Sequence, residues 1–193
     1  GALQAELREA AHELSDPRVT AAKAGWWAEE LAALSEGRPR HPLTRGMVVE
    51  AAVPWRQLAM AVAAVVGEAS DGIDRPADPE AALSGVHGLS SALAACEDAL
   101  FGAAGGAASA RTIAVHLLLH RLLVGVGSAD AGRVPLNLMA RHGVTADALQ
   151  GPEGAPLRRA WAAELRARLE ALPARASHFR HLSHAFDAAR LTR

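Results

Sequence analysis

The strongest constraint on the fold is one helix-forming stretch that is apolar on nearly every side. It lies within Arg111 to Leu136, and its first half has the composition of a buried central helix. Its apolar residues are Ile113, Val115, Leu117, Leu118, Leu119, Leu122, Leu123 and Val124. We therefore expect the other elements of the chain to surround this helix.

One polar stripe interrupts the apolar surface. Thr112, His116 and His120 recur at a spacing of four residues, so they share one face of the helix. A buried helix with a single polar stripe either lines a cavity or hydrogen-bonds its histidines internally. Arg121 and Arg133 can bind a phosphate near this face, because guanidinium pairs well with phosphate oxygens, or can fix the loop through a salt bridge. These five residues form the predicted cavity site.

Helix signals dominate the rest of the chain, and the alternation typical of strands is nearly absent. The pattern predicts an all-α fold with one domain over residues 1–193. Besides the central helix, the predicted helices span about residues 2–14, 17–35, 43–52, 54–69, 79–104, 135–142 and 157–191, the last kinked at Pro173. Thr145 is expected to cap a further short helix.

Composition excludes several classes of protein. A formal net charge of -1 gives no general attraction to nucleic acid or anionic lipid. The single cysteine, Cys96, excludes a disulfide framework and is expected to be a small core residue. We find no signal-peptide pattern and no apolar run long enough to cross a bilayer, so we expect a cytoplasmic protein. Basic residues that are almost all arginine, in an alanine-rich chain, suggest a bacterial source.

Two groups of histidines have spacings that could suit metal ligands. His116 and His120 have the spacing of a zinc-binding pair, but no glutamate lies between them as in H-E-x-x-H and no third ligand is evident. We therefore favour histidines bonded within a cavity. His178, His181 and His184 spread over about a third of the helix circumference, which favours an exposed or partner-facing stripe.

Two further sets of residues have structural interpretations. Asp71, Asp74 and Asp78 alternate with glycine and prolines, which predicts turn and capping residues rather than a metal loop. The four tryptophans are expected to anchor the core, and they are Trp26, Trp27, Trp55 and Trp161.

Two segments carry a resemblance to a known family. The first is KAGWWAEEL (residues 23–31) followed by GRPRHPL (residues 37–43); the second is GRVPL (residues 132–136) followed by RHGV (residues 141–144). Together they resemble the squalene/phytoene synthase family, and His116 lies near the position of a glutamine on that family's central helix. The resemblance implies the helical bundle of the isoprenoid synthases, around a deep apolar cavity and incomplete at the N-terminus.

The chain departs from the family where catalysis requires carboxylates. The resemblance implies two facing D-x-x-x-D motifs, whose carboxylates hold Mg²⁺ ions that bridge to diphosphate. The positions expected for the second motif are Leu123 and Gly127, or Val124 and Ser128. The first motif belongs upstream of Lys23, where no such pattern occurs, and the family's tyrosine is missing because the chain has none. We therefore expect no metal cofactor.

These departures favour a squalene/phytoene synthase-like protein with a non-catalytic binding or assembly role, similar to the respiratory complex I assembly branch of the family. One alternative is an active prenyl-diphosphate transferase of isoprenoid biosynthesis, which would use Mg²⁺ and have its first aspartate motif outside this chain. Another is a carrier of an isoprenoid or other neutral lipid. Because the family's first helices are missing, an apolar face should be left uncovered, so we expect a homo-oligomer or a protein partner.

Overall fold

The computed structural model describes residues 2–10, 16–47, 52–70, 75–124, 133–169 and 171–190. Within these ranges the chain forms helices and turns and no β-strand, which confirms the predicted all-α class. The α-helices are α1 (Ala2–Arg8), α2 (Pro17–Ser35), α3 (Pro42–Arg45), α4 (Trp55–Ser70), α5 (Pro79–Gly85), α6 (His87–Phe101), α7 (Gly106–Val124), α8 (Leu136–His142), α9 (Ala155–Ala167) and α10 (His178–Arg190). Two 3₁₀ turns, Asp147–Gln150 and Pro152–Gly154, precede α9.

Helix α2 begins and ends where its residues predict. Asp16 accepts a hydrogen bond from the backbone N–H of Arg18 at 2.8 Å, and the following Pro17 suits a first turn because that position needs no N–H donor. At the other end Gly37 adopts a φ of 73°, which favours glycine over other residues. The prediction of a helix over 17–35 is confirmed.

The predicted kinked helix over 157–191 is wrong, because α9 and α10 are separate helices. Pro173 lies between them in a turn, where its carbonyl accepts a hydrogen bond from the N–H of Ala176 at 2.8 Å. Ser177 then accepts a hydrogen bond through Oγ from the N–H of Arg180 at 3.0 Å. This side-chain cap begins a new helix.

Three other predicted boundaries also differ. The helix expected over 79–104 is two helices, since Val86 ends α5 and its neighbour Gly85 weakens helical continuity. The helix expected over 43–52 is confined to α3 in the described residues, and residues 48–51 lie outside them. The turn after α8 begins at Ala146 without a side-chain cap, so Thr145 does not have the predicted role.

The central position predicted for α7 is confirmed. Helix α7 contacts α5, α6, α9 and α10, while α4 connects α6 to α2. The side chains of Ile113, Val115 and Leu119 are almost fully buried in the core. With an apolar contribution of roughly 1.5–3 kcal/mol for each large side chain, burial on all sides of α7 organises the fold.

The tryptophans and Cys96 show where the core ends. Trp27, Trp55 and Trp161 are buried as predicted, but Trp26 is 40% exposed, so its assignment to the core is wrong. Cys96 is buried, and burial followed by the charge of Glu97 raises its pKa to about 12, which suits a core residue.

Among the described helices, none is both long enough and apolar enough to cross a membrane.

Candidate functional site

The polar stripe of α7 faces α10 at His116. The His116 ring stacks on His184 of α10 with centroids 5.8 Å apart and an interplanar angle of 27°. Its Nδ1 atom lies 3.1 Å from Oδ2 of Asp187, one turn further along α10. Both helices are therefore held with polar groups turned toward each other inside an otherwise apolar contact.

A cavity of about 280 Å³ lies beside this contact, between α1, α7 and α10. Its size is near the lower limit of about 300 Å³ that is usual for small-molecule sites. The cavity has apolar walls and several groups able to hydrogen-bond. Its lining residues are Gln4, Ala5, Arg8, Ile113, His116, Leu117, His120, Phe179, Arg180, Ser183, Phe186 and Asp187.

Arg180 is the most deeply buried charged residue of the cavity wall, with 1% of its surface exposed. Its Nε donates to Oε2 of Glu97 at 3.0 Å and its Nη2 donates to Oε1 of the same carboxylate. The guanidinium also lies over the ring of Phe179, 5.6 Å from its centroid. Its Nη1 has no hydrogen-bond partner in the described residues. A buried donor left in this way costs about 1–3 kcal/mol.

His116 is buried and neutral. Burial, followed by the charges of Arg180 and His184, lowers the pKa of His116 to about 3. Although Nδ1 lies close to Asp187, neither ring nitrogen makes a hydrogen bond to a residue that the structure describes. The pKa of His184 is lowered too, first by burial and then by His181 and Arg180, against the opposing effect of Asp187.

The predicted site residues are only partly brought together. His116 and His120 line the cavity, whereas Thr112 is buried one turn earlier with an Oγ1 that has no partner in the described part of the chain. Arg133 is half-buried immediately before α8 and is not a lining residue. The side chain of Arg121 lies outside the described residues.

The region expected to hold the second aspartate motif also lies mostly outside the residues that the structure describes. This applies to the side chains of Leu123 and Val124 and to the whole of Gly127 and Ser128. Asp74 and Asp78 do have D-x-x-x-D spacing, but the carboxylate of Asp78 accepts the N–H of Ala81 at 2.9 Å as the cap of α5. Across the described ranges, no three His, Cys, Asp or Glu side chains are grouped to hold a metal ion.

Sequence reasoning missed the contribution of α10. His184 is predicted to lie on an exposed or partner-facing stripe, yet it is half-buried against His116, and the sequence pattern predicts no role for Glu97, Arg180 or Asp187. A signal was available, because Arg180, His184 and Asp187 recur at steps of four and three and so share one helix face. A helix face that carries charged and imidazole groups beside Phe179 can indicate a buried polar site as well as a solvent-exposed stripe.

A second group of buried polar residues lies near the C-terminal end of α2. It consists of Glu30, Arg40, His41 and Thr44, and we name it the Glu30 cluster. Glu30 is fully buried and accepts hydrogen bonds from the backbone N–H groups of Arg40 at 2.8 Å and His41 at 2.9 Å. The Thr44 hydroxyl and Arg40 Nε also donate to this carboxylate. Burial raises the pKa of Glu30, but these hydrogen bonds outweigh it and lower the pKa to about 2.

The Glu30 cluster joins the two parts of the first family-like segment. The ring of His41 packs edge-on against Trp26 and Trp27, with centroids 5.6 Å and 5.2 Å away. Its Nδ1 accepts the N–H of Leu43 at 3.2 Å and so caps α3. The residues of this segment are therefore satisfied by one another, which gives the segment a structural role.

Comparison of the chain with protein-family models, curated proteins and solved structures finds no match in any of the three.

Proposed function

We propose that this chain is a non-catalytic binding protein, built on a squalene/phytoene synthase-like helical scaffold, that holds a small molecule in the cavity between α1, α7 and α10. One observation carries the proposal. A cavity of about 280 Å³ is lined by Arg180 and His116, and Arg180 Nη1 and the two His116 nitrogens make no hydrogen bond to the described residues. Proteins bond the large majority of such atoms, so each exception in a native structure requires an explanation.

Several features support binding over prenyl transfer. The sequence has no carboxylates at the positions that the family resemblance assigns to the second aspartate motif. Asp187 is the one carboxylate among the lining residues that the structure describes, and one carboxylate cannot hold the bridging Mg²⁺ ions of diphosphate chemistry. The cavity is also small for a farnesyl chain with its diphosphate, which disfavours both a transferase and a carrier of long isoprenoids.

The proposal is tested by blocking the cavity. Thermal unfolding of the full chain should be followed with a panel of single-ring aromatic compounds that includes anions, cations and uncharged molecules. We expect at least one compound to raise the Tm of the wild type and to lose this effect in Ser183→Trp, since Ser183 lines the cavity. Ala185→Trp places the same side chain on the exposed side of α10 and should bind like the wild type. A panel without any binder, or binding that survives in Ser183→Trp, would contradict the proposal.

Catalysis is tested separately with farnesyl diphosphate and Mg²⁺. We expect no pyrophosphate release above the rate without protein. Steady release would overturn the non-catalytic assignment and favour a transferase. Calorimetry with a non-hydrolysable farnesyl diphosphate analogue, with and without Mg²⁺, then shows whether unidentified carboxylates form a metal-dependent site.

A partner is proposed from one exposed apolar surface. Leu182 and Phe186 lie one turn apart on α10 and are 73% and 67% exposed, and Phe101 of α6 is 57% exposed beside them through its stacking on Phe179. Soluble monomers seldom expose contiguous apolar patches, so we propose that a second copy covers this face. Light scattering should give a mass above that of one chain for the wild type and a monomer for Leu182→Glu. A monomeric wild type at micromolar concentration would contradict the proposal.

A further inference from the structure

Helix α10 has its polar side turned inward and its apolar side turned outward. On the inner side, Arg180 is buried and His184 stacks on His116 of α7. On the outer side, Leu182 and Phe186 are both exposed. An amphipathic helix at a protein surface normally turns its apolar side toward the core. The outer side of α10 therefore suits contact with another apolar surface better than contact with water.

This outer apolar face is compatible with a copy of itself. Phe101, Leu182 and Phe186 carry no charge, so packing about a two-fold axis brings no like charges together. Leu182 and Phe186 lie one turn apart, and an axis midway between them places Leu182 of each copy against Phe186 of the other. The formal net charge of -1 gives little repulsion between two copies. These features favour a second copy over a partner of a different kind.

The mouth of the cavity lies at the edge of the same face. Among the lining residues that the structure describes, Ala5 of α1 and Phe186 of α10 are exposed, and the others are buried or half-buried. The cavity therefore opens to solvent beside these two residues. Phe179, another lining residue, stacks on Phe101 with centroids 6.2 Å apart. Phe179 and Phe186 thus connect the cavity wall to the apolar face.

The position of the mouth determines what a second copy covers. Around the axis of α10, the exposed apolar side begins beside the cavity with Phe186, continues with Leu182 and ends with Ala185. A second copy that packs on Phe101 and Phe186 covers the part nearest the cavity and leaves Ala185 at the margin. Small-molecule sites usually bury most of the ligand surface, so a cavity that is open at Phe186 is an incomplete site in the single chain.

We propose that the second copy closes the mouth of the cavity, so that the complete binding site forms only in the dimer. Leu182 of each copy packs over Phe186 of the other and separates the cavity from solvent. A small molecule enters the cavity of the single chain and is enclosed when two chains associate. The inference rests on the binding function and the second copy proposed above, and it specifies how the two are connected.

Cysteine labelling tests this closure without a ligand. Ser183→Cys places a thiol in the cavity wall one turn from Phe186, and the single native cysteine, Cys96, is buried. With excess iodoacetamide, we expect the labelling rate of the full chain to fall at least about tenfold as its concentration rises through the dimer dissociation constant measured by light scattering, since only dissociated chains then react. Adding Leu182→Glu, at a residue that does not line the described cavity, should keep labelling fast at every concentration.

Two further variants control the measurement. Gln4→Cys, on the α1 side of the cavity, should be protected like Ser183→Cys. Ser84→Cys, exposed on α5 and outside the described cavity lining, should react equally fast at all concentrations. A dimer that protects neither cavity cysteine would overturn the closure, whereas the second copy and the binding function would stand. A chain that stays monomeric at all concentrations would overturn both the closure and the second copy, and the compound panel would then decide the binding function separately.

Discussion

The Glu30 cluster and the cavity beside α10 both remove polar groups from water, but they bond those groups to different extents. In the Glu30 cluster one buried carboxylate accepts two backbone N–H groups, a hydroxyl and a guanidinium N–H. In the cavity wall, Arg180 Nη1 and both nitrogens of His116 make no hydrogen bond to the described residues, and His116 Nδ1 has only the close approach of Asp187 at 3.1 Å. Both groups of residues include arginine and histidine, so residue type does not explain the difference.

We interpret the difference as one between structural polar groups and the binding groups proposed for the cavity. A buried charge whose hydrogen bonds are complete fixes the surrounding backbone, and here it joins the end of α2 to α3. Buried donors without partners lower stability, and they are tolerated where another molecule can supply the missing bond. The segment around Trp26 and His41 belongs to the first class, because its polar groups bond to one another and join α2 to α3. The candidate site belongs to the second class.

The largest effect on the free energy of unfolding is expected at the ion pair of Glu97 and Arg180. Like Glu30 in its cluster, these two buried charges are bonded to each other in the cavity wall. Glu97→Gln leaves a buried guanidinium without its counter-charge and should lower the free energy of unfolding by about 4 kcal/mol. Urea denaturation measures this loss. The double variant Glu97→Leu, Arg180→Met replaces the pair by apolar side chains and should recover most of it. If the double variant does not recover the lost free energy of unfolding, the ion pair has a structural role like that of the Glu30 cluster.

Glu30→Gln should have the next largest effect. An amide retains one acceptor oxygen where the carboxylate had two, and it removes the charge to which four groups donate, so we expect a loss of about 3 kcal/mol in the free energy of unfolding. Glu29→Gln is the matched control, since the neighbouring side chain is 73% exposed. The control should change stability by less than about 0.5 kcal/mol. Similar losses in both variants would remove the distinction between a bonded and a solvated carboxylate.

Acid should affect the two regions at different pH. The folded state holds the pKa of His116 at about 3, below its ordinary 6.5, so the unfolded chain binds more protons between these values. Stability is therefore complete above pH 6.5 and falls as the pH decreases, by about 2 kcal/mol at pH 5. The pKa of Glu30 is lowered from 4.5 to about 2, so its contribution is lost only below about pH 4.5.

Thermal unfolding between pH 7 and pH 3 distinguishes these contributions. His116→Phe should remove the slope between pH 6.5 and 4.5, where Glu30 does not contribute, and make the profile shallower between pH 4.5 and about 3, where the Glu30 contribution remains. A wild-type profile that is flat down to pH 5 would mean that His116 is not held neutral, and the cavity wall would then contain an additional charge.

Sequence periodicity was sufficient for the helical class and for the central position of α7, because burial on all sides requires the apolar composition seen at Ile113, Val115 and Leu119. It also identified His116 as a residue on a polar face. It could not identify the partners of His116, since Glu97, Arg180 and Asp187 are distant in the sequence and meet through packing. The wrong prediction of one continuous helix through Pro173 had the same effect, because it did not identify α10 as a separate helix that lines the cavity.

The smallest effect on stability is expected from replacing threonine by valine, once in the Glu30 cluster and once on the polar stripe of α7. Thr44→Val removes a hydroxyl that donates to Glu30 and should cost about 1.5 kcal/mol, since hydrogen bonds to charged groups are the stronger class. Thr112→Val removes a buried hydroxyl of the α7 stripe that has no partner in the described residues, so the same change should leave stability unaltered or raise it slightly. Differential scanning calorimetry measures the two Tm shifts: we expect a decrease for Thr44→Val and no change or a small increase for Thr112→Val, although the two substitutions change the side-chain shape equally. If Thr112→Val costs as much as Thr44→Val, then the stripe is internally bonded and the case for a binding site on this face of α7 is lost.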